Sequence, residues 1–148
     1  MATHSFAATV AEWAHEVQGA AEAIWKASAQ ALVEEAQRPV GQGGHMRVDT
    51  GFLRASLMAS TSAMPSIDPG ARPVKDQKYE ADFGTIEAVI AAADLGETIY
   101  LGYTASYAGY REYGANGQPP DAFVRLAAQR WPQIVQAESD KLKGRLGA

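Results

Sequence analysis

Side chains able to do chemistry are few and scattered in this 148-residue chain. Of the three histidines, His4, His15 and His45, only His15 has acidic neighbours at helical offsets: Glu12 three residues before it and Glu16 next to it. Glu-x-x-His is half of the motif with which helix bundles hold paired metal ions. The second half is missing, so Glu12, His15 and Glu16 read as a solvated helix face and no metal ligand is assigned. Ser56 and Ser106 lack the G-x-S-x-G turn that exposes a nucleophile. The glycines of GQGG at 41–44 follow no predicted strand, unlike those of a phosphate-binding loop. Asp82 with Glu87, or Glu97 with Glu112, could be offered as acid and base, but pairs drawn from 17 acidic residues carry no specificity. With no cysteine there is no thiolate chemistry and no disulfide. The chain is expected to be no enzyme and to need no cofactor.

The tyrosines are more informative. Tyr100, Tyr103, Tyr107, Tyr110 and Tyr113 crowd into 14 residues, and Tyr is enriched at interfaces because it buries much area while keeping a polar tip. About half are assigned to the core; Tyr110 and Tyr113 are candidates for a contact between subunits.

These residues need elements to position them. Ser5 to Gln37 reads as one helix, N-capped by Ser5 and stopped before Pro39. Eleven of its 33 positions are Ala, the strongest helix former. Phe6, Val10, Trp13, Val17, Ala20, Ile24, Ala27 and Ala31 recur by fours and threes, a heptad-like seam. At 1.5 Å per residue the helix is about 50 Å long, against a radius of gyration near 15 Å for a domain of this size. It should overhang its own domain and use Phe6, Val10, Trp13, Val17 and Ile24 as a contact between subunits, unless Gly19 kinks it into an intramolecular pair.

Further on, Gly-rich 39–48 forms a loop, and Asp49 or Thr50 caps a short helix, GFLRASL, with Phe52, Leu53 and Leu57 inward. Met58 to Ser62 reads as a strand. The segment MPSIDPGARPVKDQ, with three prolines, reads as an extended arm that could reach a neighbour. Thr85 caps a helix carrying Ile86, Val89, Ile90 and Ala93, which Gly96 ends. ETIYLGYT is a half-buried strand, and Ser106 caps YAGYREY, which Gly114 terminates. The last helix spans about Ala122 to Lys143, with Phe123, Leu126, Ala127, Ile134 and Leu142 inward and Pro132 kinking or restarting it. The expected architecture is α+β in one domain, 1–148: a long helix (1–38), a loop-rich segment with its arm (39–84), and a helix-strand-helix-helix part (85–148) that completes a small antiparallel sheet.

Hydrophobic residues at 47% and charged residues at 20% are close to globular averages. No window approaches the roughly 20 apolar residues of a membrane span, and the N-terminus lacks a secretory pattern, so a soluble cytosolic chain is expected. A net charge of −4 argues against a dedicated nucleic-acid binder. The charge is uneven: residues 1–37 carry one Lys against five Glu, 38–78 carry six basic against three acidic residues, and 79–148 carry six against nine. An acidic helix beside a basic middle segment implies complementarity within the subunit or between copies, if it is more than ordinary solvated charge.

Three stretches, VDTGFLRASL at 48–57, YAGYREYG at 107–114 and AFVRLAAQRWPQIV at 122–135, resemble in this order the tail-completion or neck protein family of long-tailed bacteriophages. The N-terminal helix and the basic 71–78 arm fall outside the likeness. Within it, Asp49, Thr50, Gly51, Leu53, Arg54, Tyr107, Glu112 and Gly114 act as fold determinants: Asp49 or Thr50 satisfies free amides, Gly51 permits tight packing, Arg54 reaches an acidic partner such as Glu112, and Gly114 with Pro119-Pro120 redirects the chain. The resemblance implies a virion protein assembled in the host cytoplasm as a ring of identical copies between the portal-side connector and the tail tube, touching neighbouring neck and tail-tube proteins. DNA would pass through the ring, with Arg47, Arg72, Lys75 and Lys78 facing it, or facing an acidic neighbour, without sequence specificity. A tail terminator and a head-closure stopper are alternatives of the same class; a small soluble protein-interaction module is one of another class.

Overall fold

A computed structural model describes residues 6–145. Its first helix, α1, runs unbroken from Phe6 to Gln37 and passes straight through Gly19, so the glycine makes no hinge. His4 and Ser5, the expected cap, lie outside the described residues, as does the Phe6 side chain. The two halves of α1 differ. Residues 7–19 are exposed except for Ala8, whereas Ser28, Ala29, Val33 and Gln37 are buried. At 3.6 residues per turn, Val10, Trp13 and Val17 lie on the opposite side of the helix from Ala29, Val33 and Gln37. Half-buried Ile24, Ala27 and Ala31 and buried Ser28 share the helical side of the heptad-like seam, so it is covered toward the end of α1 and exposed only around Val10, Trp13 and Val17.

The chain then makes a short 3-10 turn at Val40–Gln42 and enters α2 (Phe52–Ala55). Strand β1 (Leu57–Ser60) pairs antiparallel with β2 (Tyr100–Tyr103), Leu57 opposite Tyr103 and Ser60 opposite Tyr100. A two-stranded sheet is marginal alone; here Leu57 packs with Ala29 and Val33 of α1 and with Ile86 and Ile90 of α3 (Phe83–Ala92). The N-cap of α3 is Asp82, not Thr85: its carboxylate accepts from the Thr85 backbone N–H at 3.4 Å and from the Thr85 hydroxyl at 2.7 Å. A carboxylate reaches the free amides from outside the helix, and these bonds hold Asp82 below the usual carboxylate pKa. The helix stops at Ala93, three residues before Gly96.

After β2 come α4 (Ala108–Tyr113), α5 (Phe123–Gln129) and α6 (Trp131–Arg145). Ser106 does not cap α4, because its hydroxyl is turned to the Ala71 carbonyl at 3.3 Å; Tyr107 holds the cap position. Gly114 ends α4 as expected, at φ 83°. The C-terminal helix restarts at Pro132, as one of the two expectations had it: α5 closes on Arg130 and the proline sits in the first turn of α6, where its missing N–H costs nothing. Phe123, Ala127 and Ile134 are buried, Leu126 and Leu142 half-buried. Helix α6 packs along α1, and contacts of Arg130 with Glu35 and of Trp131 beside Trp25 and Leu32 set the two antiparallel. The whole is α+β.

The proline-rich arm is laid back on its own chain. The Asp68 N–H donates to Thr104 O at 2.9 Å, the Ser106 N–H to Ala71 O at 3.3 Å, and the Tyr79 N–H to Thr50 O at 2.8 Å. Those bonds, with the Tyr79 ring edge-on to Phe52 at 5.0 Å, anchor the arm at Asp68, Ala71 and Tyr79 and leave Arg72 to Lys78 exposed.

Candidate functional site

The three segments singled out by sequence converge. Leu53 from the first, Ala108 from the second and Phe123 from the third form one buried cluster with Met46 and Ala105, flanked by Phe52, Tyr103 and Tyr107. Gly51 begins α2 at φ 83°, and a Cβ there would lie 2.3 Å from Tyr79 O, so backbone conformation and close approach both demand glycine. The Thr50 hydroxyl, rather than an Asp49 carboxylate, satisfies a free amide, accepting from the Phe52 N–H at 3.2 Å. Asp49 is exposed and contributes its carbonyl, which accepts from Lys78 Nζ at 3.1 Å. Burial raises the Tyr107 phenol pKa, and its ring stacks on Phe52 at 6.3 Å. A Cβ on Gly114 would meet Gln118 O at 2.8 Å, so the 114–120 turn, closed by the Gln118 N–H on Ala115 O at 2.9 Å, needs glycine there.

Arg54 and Glu112 do not pair. Arg54 lies over the Phe83 ring at 5.2 Å and donates through Nε to the Gln37 carbonyl at 2.8 Å, capping the end of α1. Gln37, 1% exposed, returns a bond from Nε2 to Arg54 O at 2.9 Å and accepts the Tyr103 hydroxyl proton at 2.7 Å. Burial pushes the Tyr103 phenol far above its ordinary 10.0, which keeps it a neutral donor. Glu112 instead caps α5: its carboxylate accepts from the N–H groups of Val124 at 2.9 Å and Arg125 at 3.0 Å, and from Arg125 Nε at 3.0 Å. The partner is Arg125 because Glu112 sits where α5 begins, and the free amides there outcompete a distant guanidinium.

Arg47, expected to face DNA or an acidic neighbour, is instead committed to partners within its own chain. Its backbone N–H and Nε donate to the carboxylate of Asp121, whose side chain is 2% exposed, and its terminal nitrogens donate to Gln118 Oε1 at 3.0 Å and Pro119 O at 2.8 Å. It clamps the Pro119-Pro120 turn. Arg72, Lys75 and Lys78 stay exposed along one arm.

Among the described residues two apolar surfaces have no element over them. The ridge on α1 exposes Val10, Trp13 and Val17, Trp13 by 65%, while Ile24 is half-buried. At the other end of α1 an open groove of about 710 Å³ runs between β2 and α5, lined by Leu32, Leu101, Tyr103, Val124 and Ala128 with Tyr113 at its rim. Tyr113 and Tyr110 are among the most exposed large side chains, and Arg125 lies over the Tyr113 ring at 5.0 Å. Sequence reasoning anticipated the ridge and both tyrosines but missed the groove, Gln37, Asp121 and Arg125. Gln37 carried a weak signal, a polar residue on the buried face at the end of α1; the Arg47–Asp121 contact, 74 residues apart, carried none. Among the described residues no group of His, Asp and Glu is placed to hold a metal ion, and no helix is long and apolar enough to cross a membrane. No protein-family model, curated protein or solved structure matches the chain.

Proposed function

We propose that this chain is a structural subunit of a bacteriophage neck, a tail-completion protein whose copies form a ring around the DNA channel between the portal-side connector and the tail tube. The observation that carries the proposal is the ridge: the seam of a 32-residue helix leaves Val10, Trp13 and Val17 exposed, with no other element of the described residues over them. Monomers do not usually keep such a stripe in water without a use for it. The convergence of the three resembling segments in one core supports it as well, since those residues then determine the fold on which the ridge is mounted.

Under this proposal the subunit performs no reaction, resides in the virion, and uses Arg72, Lys75 and Lys78 for non-specific contact with channel DNA or an acidic neighbour. Light scattering and negative-stain microscopy of the purified protein, alone and mixed with purified tail tubes, test it. Rings, or caps on tube ends, are the expected result. A cap that stops tube growth without binding heads would indicate the tail terminator, and binding to portal complexes alone the stopper. A monomer that leaves both tubes and portals bare overturns the proposal in favour of a small interaction module.

A further inference from the structure

We propose that the projecting half of α1 from one copy seats in the groove between β2 and α5 of a second copy, so that subunits associate head to tail. The inference rests on the assembly proposed above and adds the surface that receives the helix.

Ridge and groove are both apolar, and both are open in the single chain. They cannot satisfy each other within one subunit. Trp13 and Leu32 are carried by the same unbroken helix, 19 residues and hence about 28 Å apart. A contact between two different surfaces of identical chains is heterologous, and it closes into a ring when the rotation per subunit divides a full turn. Val10, Trp13 and Val17 have the three-and-four spacing by which an amphipathic helix presents anchors to an apolar groove. At about 710 Å³ the groove lies within the range that buries most of a sizeable ligand, enough for a Trp and its neighbours.

Charge favours this pairing over ridge against ridge. Glu16 flanks the ridge, and no Lys or Arg precedes Lys26, so two ridges laid against each other would bring acidic side chains together. Arg125 at the groove's rim is paired with Glu112 but keeps its side chain 47% exposed, where a second acidic side chain can join it. The seated helix also gains order: about 13 residues standing clear of the body form a marginal helix in water, and burial of one face is what fixes such a segment.

The absence of cysteine gives a clean background for a cross-linking test on the full chain. Protein carrying Val10→Cys is mixed with differently tagged protein carrying Ala128→Cys, both at exposed positions, under mild oxidant; Ala92→Cys on α3 is the control. Contact raises the effective concentration of the two thiols, so the 10–128 product should exceed the 10–92 product by roughly tenfold. Equal yields of the two overturn the head-to-tail contact. Predominant 10–10 product also overturns it, in favour of ridge-to-ridge pairing, while leaving ring assembly standing. Light scattering of the unsubstituted protein, run alongside, reports whether the assembly itself has failed.

Discussion

The motif core and the projecting half of α1 solve opposite problems. In the core, polar groups from distant parts of the chain end on one another: Glu112 on the first amides of α5, Arg47 on Asp121 and the proline turn, Gln37 on Arg54 and Tyr103. In the projecting helix, residues 7–19 have little to lose by mutation within the subunit, because almost nothing of it covers them. The difference teaches where stability and association reside. Substitutions in the first region should lower the folding free energy, and substitutions on the ridge should leave folding alone and act on assembly.

The sharpest test of the core is Glu112→Ala. It removes the buried acceptor for two helix-start amides and for Arg125 Nε, and should cost about 3 kcal/mol, read as a fall in the urea midpoint at unchanged slope. A cost below about 1 kcal/mol would mean that packing of Phe123 and Ala127 holds α5 without its cap. Arg47→Ala should follow at about 2 kcal/mol, less than a fully buried pair because the Arg47 side chain is 32% exposed and its backbone N–H still serves Asp121.

Arg54→Ala removes one bond to the Gln37 carbonyl and the contact with Phe83, and should cost about 1.5 kcal/mol in the same urea titration. A buried pair with Glu112 would have required about 3 kcal/mol or more, so the size of this effect separates the two arrangements. Why that pairing was misjudged is instructive. The sequence showed a cation in one short helix and a carboxylate in another, and charge alone left Arg125 and Arg54 equivalent. Helix boundaries decided between them. Placing Glu112 beside the start of α5 depends on how the 114–120 turn folds, which local sequence does not encode. Long helices, the restart at Pro132, the glycine that ends α4 and the core residues Leu53, Ile86, Ile90 and Phe123 were legible because period and stop signals are local. The fold-back of the arm, the commitment of Arg47 to Asp121 and the groove were not, since each is a contact between segments far apart in sequence; the α3 cap is local, but Asp82 and Thr85 both offered a capping oxygen.

Acid should expose a smaller contribution at the C-terminal end of α1, where Glu35 meets Arg130 and Arg38. Burial alone would raise the Glu35 pKa, but bonds and charge from Arg130 and Arg38 outweigh it and hold the carboxylate below its ordinary 4.5. A depressed carboxylate stabilises the fold fully above its unfolded value, and that contribution is lost as pH falls through the folded one. Stability of the native chain should therefore decline below about pH 4.5, and Glu35→Gln should flatten that part of the decline. An unchanged acid limb would assign the loss to other carboxylates and leave the α1–α6 junction held by packing.

The smallest effect on folding belongs to the ridge. Val17 is 47% exposed and lies on the outer face of α1, so Val17→Glu should change the unfolding free energy by no more than about 0.5 kcal/mol, the usual range for a surface site. Helix content by circular dichroism should likewise be retained. The same substitution puts a charge in the middle of the proposed contact, where burial without a partner is costly, and should abolish the assembly seen by light scattering. Loss of stability in the isolated subunit would show that the ridge is already engaged within its own chain and would break the division between the two regions. Retained assembly with unchanged stability would move the contact to another surface, with the exposed Tyr110 and Tyr113 face next in line.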